Sequence, residues 1–184
     1  GKVTAITIEK ECGKHSTMEI CIVPDSVDGI TELRNFVSCG TSVEADIDGM
    51  LVMCGKIKEI TGKSTYAGAA VSVFVVSDSL ASDMIKISRI FQSPKKTYGE
   101  ICGKISEKVT FTISNRELAS KKEEAVVVQY NESDFAFANR LAIEHHTRLF
   151  VIDAHRGKNE VVIADNLQTS KQLKNTDLIS AELQ

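Results

Sequence analysis

His145 and His146, followed a few residues on by Asp153 and His155, are the residue types that bind a transition metal. Their spacing argues against it. Neighbours on one helix project about 100° apart and rarely ligate the same ion, and the i, i+4 pairing of H-E-x-x-H is absent. Histidines closing a helix, where they complement its dipole, are the simpler reading. Ser133, between Glu132 and Asp134, has the chemistry of a nucleophile. No G-x-S-x-G elbow surrounds it and no His is placed by sequence to serve it. A serine just before an apolar-periodic run is a helix cap. Thr61-Gly62-Lys63-Ser64 imitates the end of a phosphate-binding loop, but it lacks the upstream glycine and reads as a hairpin turn. Cys102 stands near a helix start, where a thiolate could be stabilised. It shares the Tyr98–Ile105 face and reads as a packing residue. No catalytic residue, metal or cofactor is expected.

The composition sets the frame for these residues. The 184 residues suffice for one large domain or two small ones, and for a real core. With 42% hydrophobic and 26% charged residues the chain is globular in type. A net charge of −3, with Lys and Arg scattered among Asp and Glu, leaves no basic face for nucleic acid. No apolar run approaches the ~20 residues that span a bilayer, so no membrane insertion is expected. Cys12, Cys21, Cys39, Cys54 and Cys102 are odd in number and form no C-x-x-C pair. They read as reduced core thiols of a protein made in the cytoplasm. Gly1 stands where an initiator Met would, so the chain is expected to be a piece of a longer protein.

The elements that must carry these residues fall into two regions. Lys2–Glu9 and Thr17–Val23 alternate with period two and read as strands. Glu32–Phe36 reads as a short helix or an irregular connection. Thr41–Ile47 and Met50–Thr61 form a hairpin through Asp48-Gly49, with a bend at Gly55. Tyr66–Ser77 is a further strand, with Val71, Val73 and Val75 on one face. Short strands at this spacing predict a small antiparallel β-barrel over residues 1–91. After a loop at Ser93–Lys96, Tyr98, Ile101, Cys102, Ile105 and Val109 have helical spacing, with Thr97 and Glu100 as a capping box. Val109–Ile113 is β-prone, and Ser114–Glu124 reads as a loop. Ala125–Tyr130 is a strand. Asn131 or Ser133 caps a helix running to about His145, with Asp134 at its positive end. Arg148–Ala154 and Glu160–Ala164 form a hairpin through Arg156–Asn159. The fold expected is a β-rich α+β chain: a barrel at 1–91, an α/β strand–helix–hairpin subdomain at 92–166, and a polar tail or fragment of a next domain at 167–184.

Gln129-Tyr130-Asn131-Glu132-Ser133-Asp134-Phe135-Ala136-Phe137, followed by Arg140-Leu141, resembles the Q-Y-x-E-S-D-x-x-F-x-x-R-L signature. That signature belongs to the VgrG spike proteins of type VI secretion and the late-control, tail-hub proteins of contractile-tailed phages. Arg89-Ile90-Phe91-Gln92 resembles the family's R-I-F-Q element, and Val161-Val162-Ile163-Ala164-Asp165-Asn166 its closing L-V-L-A-D-S strand. The resemblance covers Glu44–Asn166 and, weakly, the start of the chain. It departs where the family has Glu-Glu-Gly-Ile: Ile143-Glu144-His145-His146-Thr147-Arg148 stands there without the glycine. The second barrel, the neck domain and the β-helical needle of the family are not in this sequence.

The resemblance implies a structural hub at the base of a spike. In the family, three copies form a pseudo-sixfold ring that caps the inner tube of an injection machine and carries the puncturing spike. It implies a homotrimer of the full-length protein, partnered by tube, baseplate and spike proteins. It further implies assembly into a virion-like tail or secretion apparatus, and export with the spike. The residues implied are structural: Arg89, Phe91, Gln92, Tyr130, Glu132, Ser133, Asp134, Phe137, Arg140, Leu141 and Asp165, with Arg140 paired to a carboxylate. A carbohydrate- or peptide-binding β-module is the competing reading, disfavoured by only 5% aromatic residues for stacking on sugars. A hydrolase or peptidase reading finds no catalytic constellation.

Overall fold

The computed structural model describes residues 1–26, 31, 37–47, 49–65, 68–92, 96–105, 107–122, 126–153, 160–166 and 180–183. Expectations for Glu32–Phe36, Asp48, His155, the Arg156–Asn159 turn and most of the 167–184 tail lie outside the described residues.

Strands β1 (Lys2–Glu9), β2 (Thr17–Val23), β3 (Ser42–Ile47), β4 (Met50–Thr65) and β5 (Gly68–Ser77) follow the period-two runs. They build an antiparallel six-stranded sheet in the order β1-β2-β5-β4-β3-β11, where β11 is Ser180–Leu183. The sheet curls into a half-barrel, the β-rich antiparallel architecture expected. Met18, Ile20, Val43, Met53, Val71, Val73 and Val75 of this sheet are buried in one core. The expected turn at Thr61–Ser64 is not there. Thr61, Gly62, Lys63 and Ser64 pair with Ser72, Val71, Ala70 and Ala69 as the far half of β4. The local Gly-Lys-Ser turn signal loses to a long cross-strand ladder. No bend marks Gly55 either: the register shift comes between Ile57 and Glu59. Gly55 meets a different need. A Cβ there would sit 2.4 Å from the Val76 carbonyl oxygen, so only glycine lets β5 approach so closely.

A second core lies beyond a short 3-10 turn at Asp78–Ser82. Strand β6 (Lys86–Phe91) pairs with β8 (Val127–Ser133), not with the half-barrel, and Phe91 enters this second core. Helix α1 (Tyr98–Cys102) has Thr97 as N-cap and the full capping box with Glu100, as expected. It is shorter than the apolar spacing predicts. It ends at Gly103, a poor helix former, and Ile105 and Val109 reach the core from the connection that follows. The segment expected to be a loop contains helix α2 (Arg116–Ser120), capped by Asn115. Its backbone packs on α1 at Gly99, where a Cβ would stand 3.0 Å from the Ala119 carbonyl oxygen. Strand β7 (Thr110–Ile113) runs parallel to β10 (Glu160–Ala164), which pairs antiparallel with β9 (Arg148–Ile152). Helix α3 (Asp134–Glu144) covers this sheet through Phe137, Ala138, Leu141 and Ala142.

The β1–β2 hairpin joins the two cores. Its tip, residues 10–16, seats on the second one: Gly13 N–H donates to the Leu149 carbonyl at 2.8 Å. Lys10 Nζ pairs with the buried Asp153 carboxylate and donates to the Val52 carbonyl at 2.7 Å.

Candidate functional site: the signature strand and helix

The signature residues gather where β6, β8 and α3 meet. Arg89 and Gln129 are cross-strand partners. Gln129 is wholly buried, and its amide nitrogen donates to the Glu132 carbonyl at 3.2 Å and to Asp134 Oδ1 at 3.0 Å. Arg89 Nη1 donates to the same Asp134 oxygen at 3.1 Å and to the Ile105 carbonyl. Asp134 therefore ties both strands of the small sheet to the first turn of α3, where its charge also suits the helix dipole. Gln129 Oε1 has no partner among the described residues.

Ser133 is the N-cap: its Oγ accepts from Ala136 N–H at 3.1 Å. The alternative cap, Asn131, instead takes a left-handed conformation (φ 48°) that turns β8 toward the helix. Arg140 lies beside this corner. Its Nε and Nη2 donate to the two oxygens of Glu132 at 3.3 and 2.7 Å, a bidentate pair. Nη1 donates to Glu144 at 2.7 Å and Nη2 to the Val128 carbonyl at 2.7 Å. The guanidinium carbon stands 5.2 Å from the Phe137 ring centroid. Hydrogen bonding to Glu132 raises the guanidinium's pKa, against an opposing effect of burial. Phe137 is fully buried and stacks on Phe91 at 5.7 Å, and Leu141 packs in the same core. Asp165 accepts from Asn115 Nδ2 at 2.8 Å, tying the end of β10 to the cap of α2. Gln92 and Tyr130 are exposed, Tyr130 by 78%.

The helix closes without the family's glycine, and the geometry shows how. Thr147 N–H donates to the Ala142 carbonyl at 2.9 Å and His146 N–H to that of Ile143 at 3.0 Å. These are the two bonds of a Schellman motif. His146 supplies the left-handed residue, φ 56°, where glycine is usual. His145 packs edge-on against Tyr98 at 4.4 Å, and burial lowers its pKa. Asp153 pairs with Lys10. Among the described residues no three His, Cys, Asp or Glu side chains converge as metal ligands.

One cluster escapes sequence reading because its members are 64 and 68 residues apart. His15 Nδ1 lies 2.8 Å from Ser79 Oγ, and Nε2 lies 3.4 Å from Asp83 Oδ2. Asp83 in turn accepts from the Ser133 hydroxyl, and the imidazole packs on Phe135 at 3.9 Å. Ser, His and Asp in this order are the groups of nucleophilic catalysis. Ser79, however, is 2% exposed and bonds Ser77 Oγ at 2.7 Å, so a substrate carbonyl has no approach to it. The cluster links the hairpin tip, the 3-10 turn and the cap of α3. None of the five cysteines is in a disulfide. Only Cys102 is a core thiol, its pKa pushed up to about 12 by burial. Cys12 and Cys39 are exposed, which corrects the expectation that the thiols are core residues.

The profile of the phage tail baseplate hub (GPD) family matches residues 37–181. The chain belongs to that family. No curated protein sequence matches it at a significant level. Solved structures share the fold of this hub protein at low identity. A tail protein from Neisseria meningitidis superposes with a TM-score of 0.56 at 12% identity, over 86% of this chain and 44% of its own. The 43 kDa tail protein of prophage MuSo2 from Shewanella oneidensis gives 0.60 at 12%, over 88% and 52%. An E. coli component of the type VI secretion system, described as structurally similar to the T4 tail proteins gp27 and gp5, gives 0.58 at 13%, over 93% and 50%. The chain thus spans about half the length of these structures. No helix among the described residues is long and apolar enough to cross a membrane.

Proposed function

We propose that this hub protein joins the inner tube of a contractile injection system to its puncturing spike, and that it acts by assembly rather than catalysis. The observation that carries this reading is the use of the signature's polar side chains. Arg89, Asp134, Glu132, Arg140 and Ser133 bond one another or the backbone of neighbouring elements. They hold a strand–helix corner rigid. We propose a division of roles along the two cores: the half-barrel faces the tube, and the part from β6 onward braces it. The full-length protein is a homotrimer whose neighbours are tube, baseplate and spike proteins. It is made in the cytoplasm, built into a tail or secretion apparatus, and exported with the spike.

The test is co-purification. Full-length protein expressed with its cognate tube protein should elute as one complex, with a protomer mass ratio of a trimer by sedimentation. Failure of the full-length trimer to retain the tube protein would sink the proposal.

A further inference from the structure

An open cleft of about 330 Å³ lies between β6 and the connection from α1 to β7. Ile85 and Ile87 give it an aliphatic side; Ile85 is 63% exposed. Its polar lining is Lys104, Lys108, Glu107 and the Arg89–Asp134 pair. Three cations thus stand against two carboxylates, and one of those carboxylates, Asp134, is already bonded by Arg89 and Gln129. Local charge is therefore opposite in sign to the −3 of the whole chain.

The donors are arranged for a planar anion. Arg89 uses only Nη1, toward Asp134 and Ile105. Its Nε and Nη2 have no acceptor among the described residues, although its side chain is 35% exposed and anchored. A guanidinium fixed on one side and open on the other suits a carboxylate. Lys104 forms no ion pair among the described residues. An aliphatic wall beside such a fork takes an acid with an apolar neighbour, and the volume matches the small end of ligand pockets, about 300–1,000 Å³.

We propose that this cleft docks a segment of a partner protein that presents a carboxylate next to an aliphatic side chain. The inference rests on the cleft itself and is independent of which proteins flank the hub. The probe is acetyl-Leu-Glu-Leu-Glu-amide, titrated into the ¹⁵N-labelled 184-residue chain. Saturable shifts should be confined to the amides of Ile85–Arg89 and Lys104–Ile105. Lys104→Glu, at an exposed site that leaves the thermal midpoint unchanged, should weaken binding about fivefold, as loss of a partly exposed ion pair does. Ile85→Glu should weaken it as well. The proposal is overturned by shifts that never saturate, by equal binding of acetyl-Leu-Gln-Leu-Gln-amide, or by an unchanged affinity in Lys104→Glu. Inorganic phosphate reproducing the full shift pattern would also overturn it, since the cleft would then be a site for any anion. None of these results touches co-purification with the tube protein, so the two readings fail separately.

Discussion

Two side chains show how much rests on single residues. Phe137 is fully buried, stacked on Phe91 and roofed by Arg140. Its truncation to alanine should cost about 3–5 kcal/mol, as buried aromatic truncations do; urea denaturation reads this directly, and an unchanged midpoint would contradict the packing. His15 predicts a pH dependence. Burial lowers its pKa from 6.5, while Asp83 raises it and Lys58 lowers it further. The unfolded chain therefore takes up the proton first as pH falls. The stability that neutral His15 contributes is complete above about 6.5 and is lost as pH drops through the lower folded value. Denaturant midpoints measured from pH 8 down to pH 5 should fall less in His15→Gln than in the parent. Equal slopes would mean that the imidazole stays outside the linkage. His145 shifts in the same direction, so some slope should persist in the variant.

At the scale of elements, the end of α3 offers the sharpest prediction. His146 holds a left-handed conformation, which costs a side-chain-bearing residue roughly 1–2 kcal/mol. His146→Gly should relieve that strain, less the larger entropy glycine loses on folding, for a net gain of about 0.5–1 kcal/mol. Calorimetry should record a raised midpoint with the Schellman bonds intact. This element also shows what the sequence could and could not reveal. The Ser133 cap, the Thr97–Glu100 capping box and the alternation of β2 and β5 are local, so residue type and spacing disclose them. The Arg140–Glu132 pair was legible in kind, because both lie within one strand–helix unit. Pairings set by distant chain were not. Nothing near Arg89 says that β6 leaves the half-barrel for β8, and nothing near Thr110 announces a parallel partner fifty residues on. Helix α2 carries a single buried leucine, Leu118, too little periodicity to show beside its polar neighbours. The His15–Ser79–Asp83 cluster is visible only once the hairpin tip is folded across.

For the whole molecule, the question is what keeps the two cores in register. Lys10 and Asp153 form an ion pair whose carboxylate is almost fully enclosed, with Oδ2 unpartnered among the described residues. Lys10→Met strands that carboxylate. The cost should be about 2–3 kcal/mol, below the 3–5 kcal/mol of a wholly buried pair because Lys10 is 39% exposed. The double variant Lys10→Met with Asp153→Leu should recover most of the loss in a thermal melt; no recovery would show that the pair does more than neutralise charge. The seated hairpin also has a mechanical consequence. A pull that parts the two cores cannot peel their attachments one at a time. The Lys10–Asp153, Gly13–Leu149 and His15–Ser79 links sit on one short tip, with the bond from Cys54 N–H to the Asp153 carbonyl at 2.8 Å beside them, and they share the load. Load shared in parallel raises the force needed for rupture, so the joint behaves as a rivet rather than a zip.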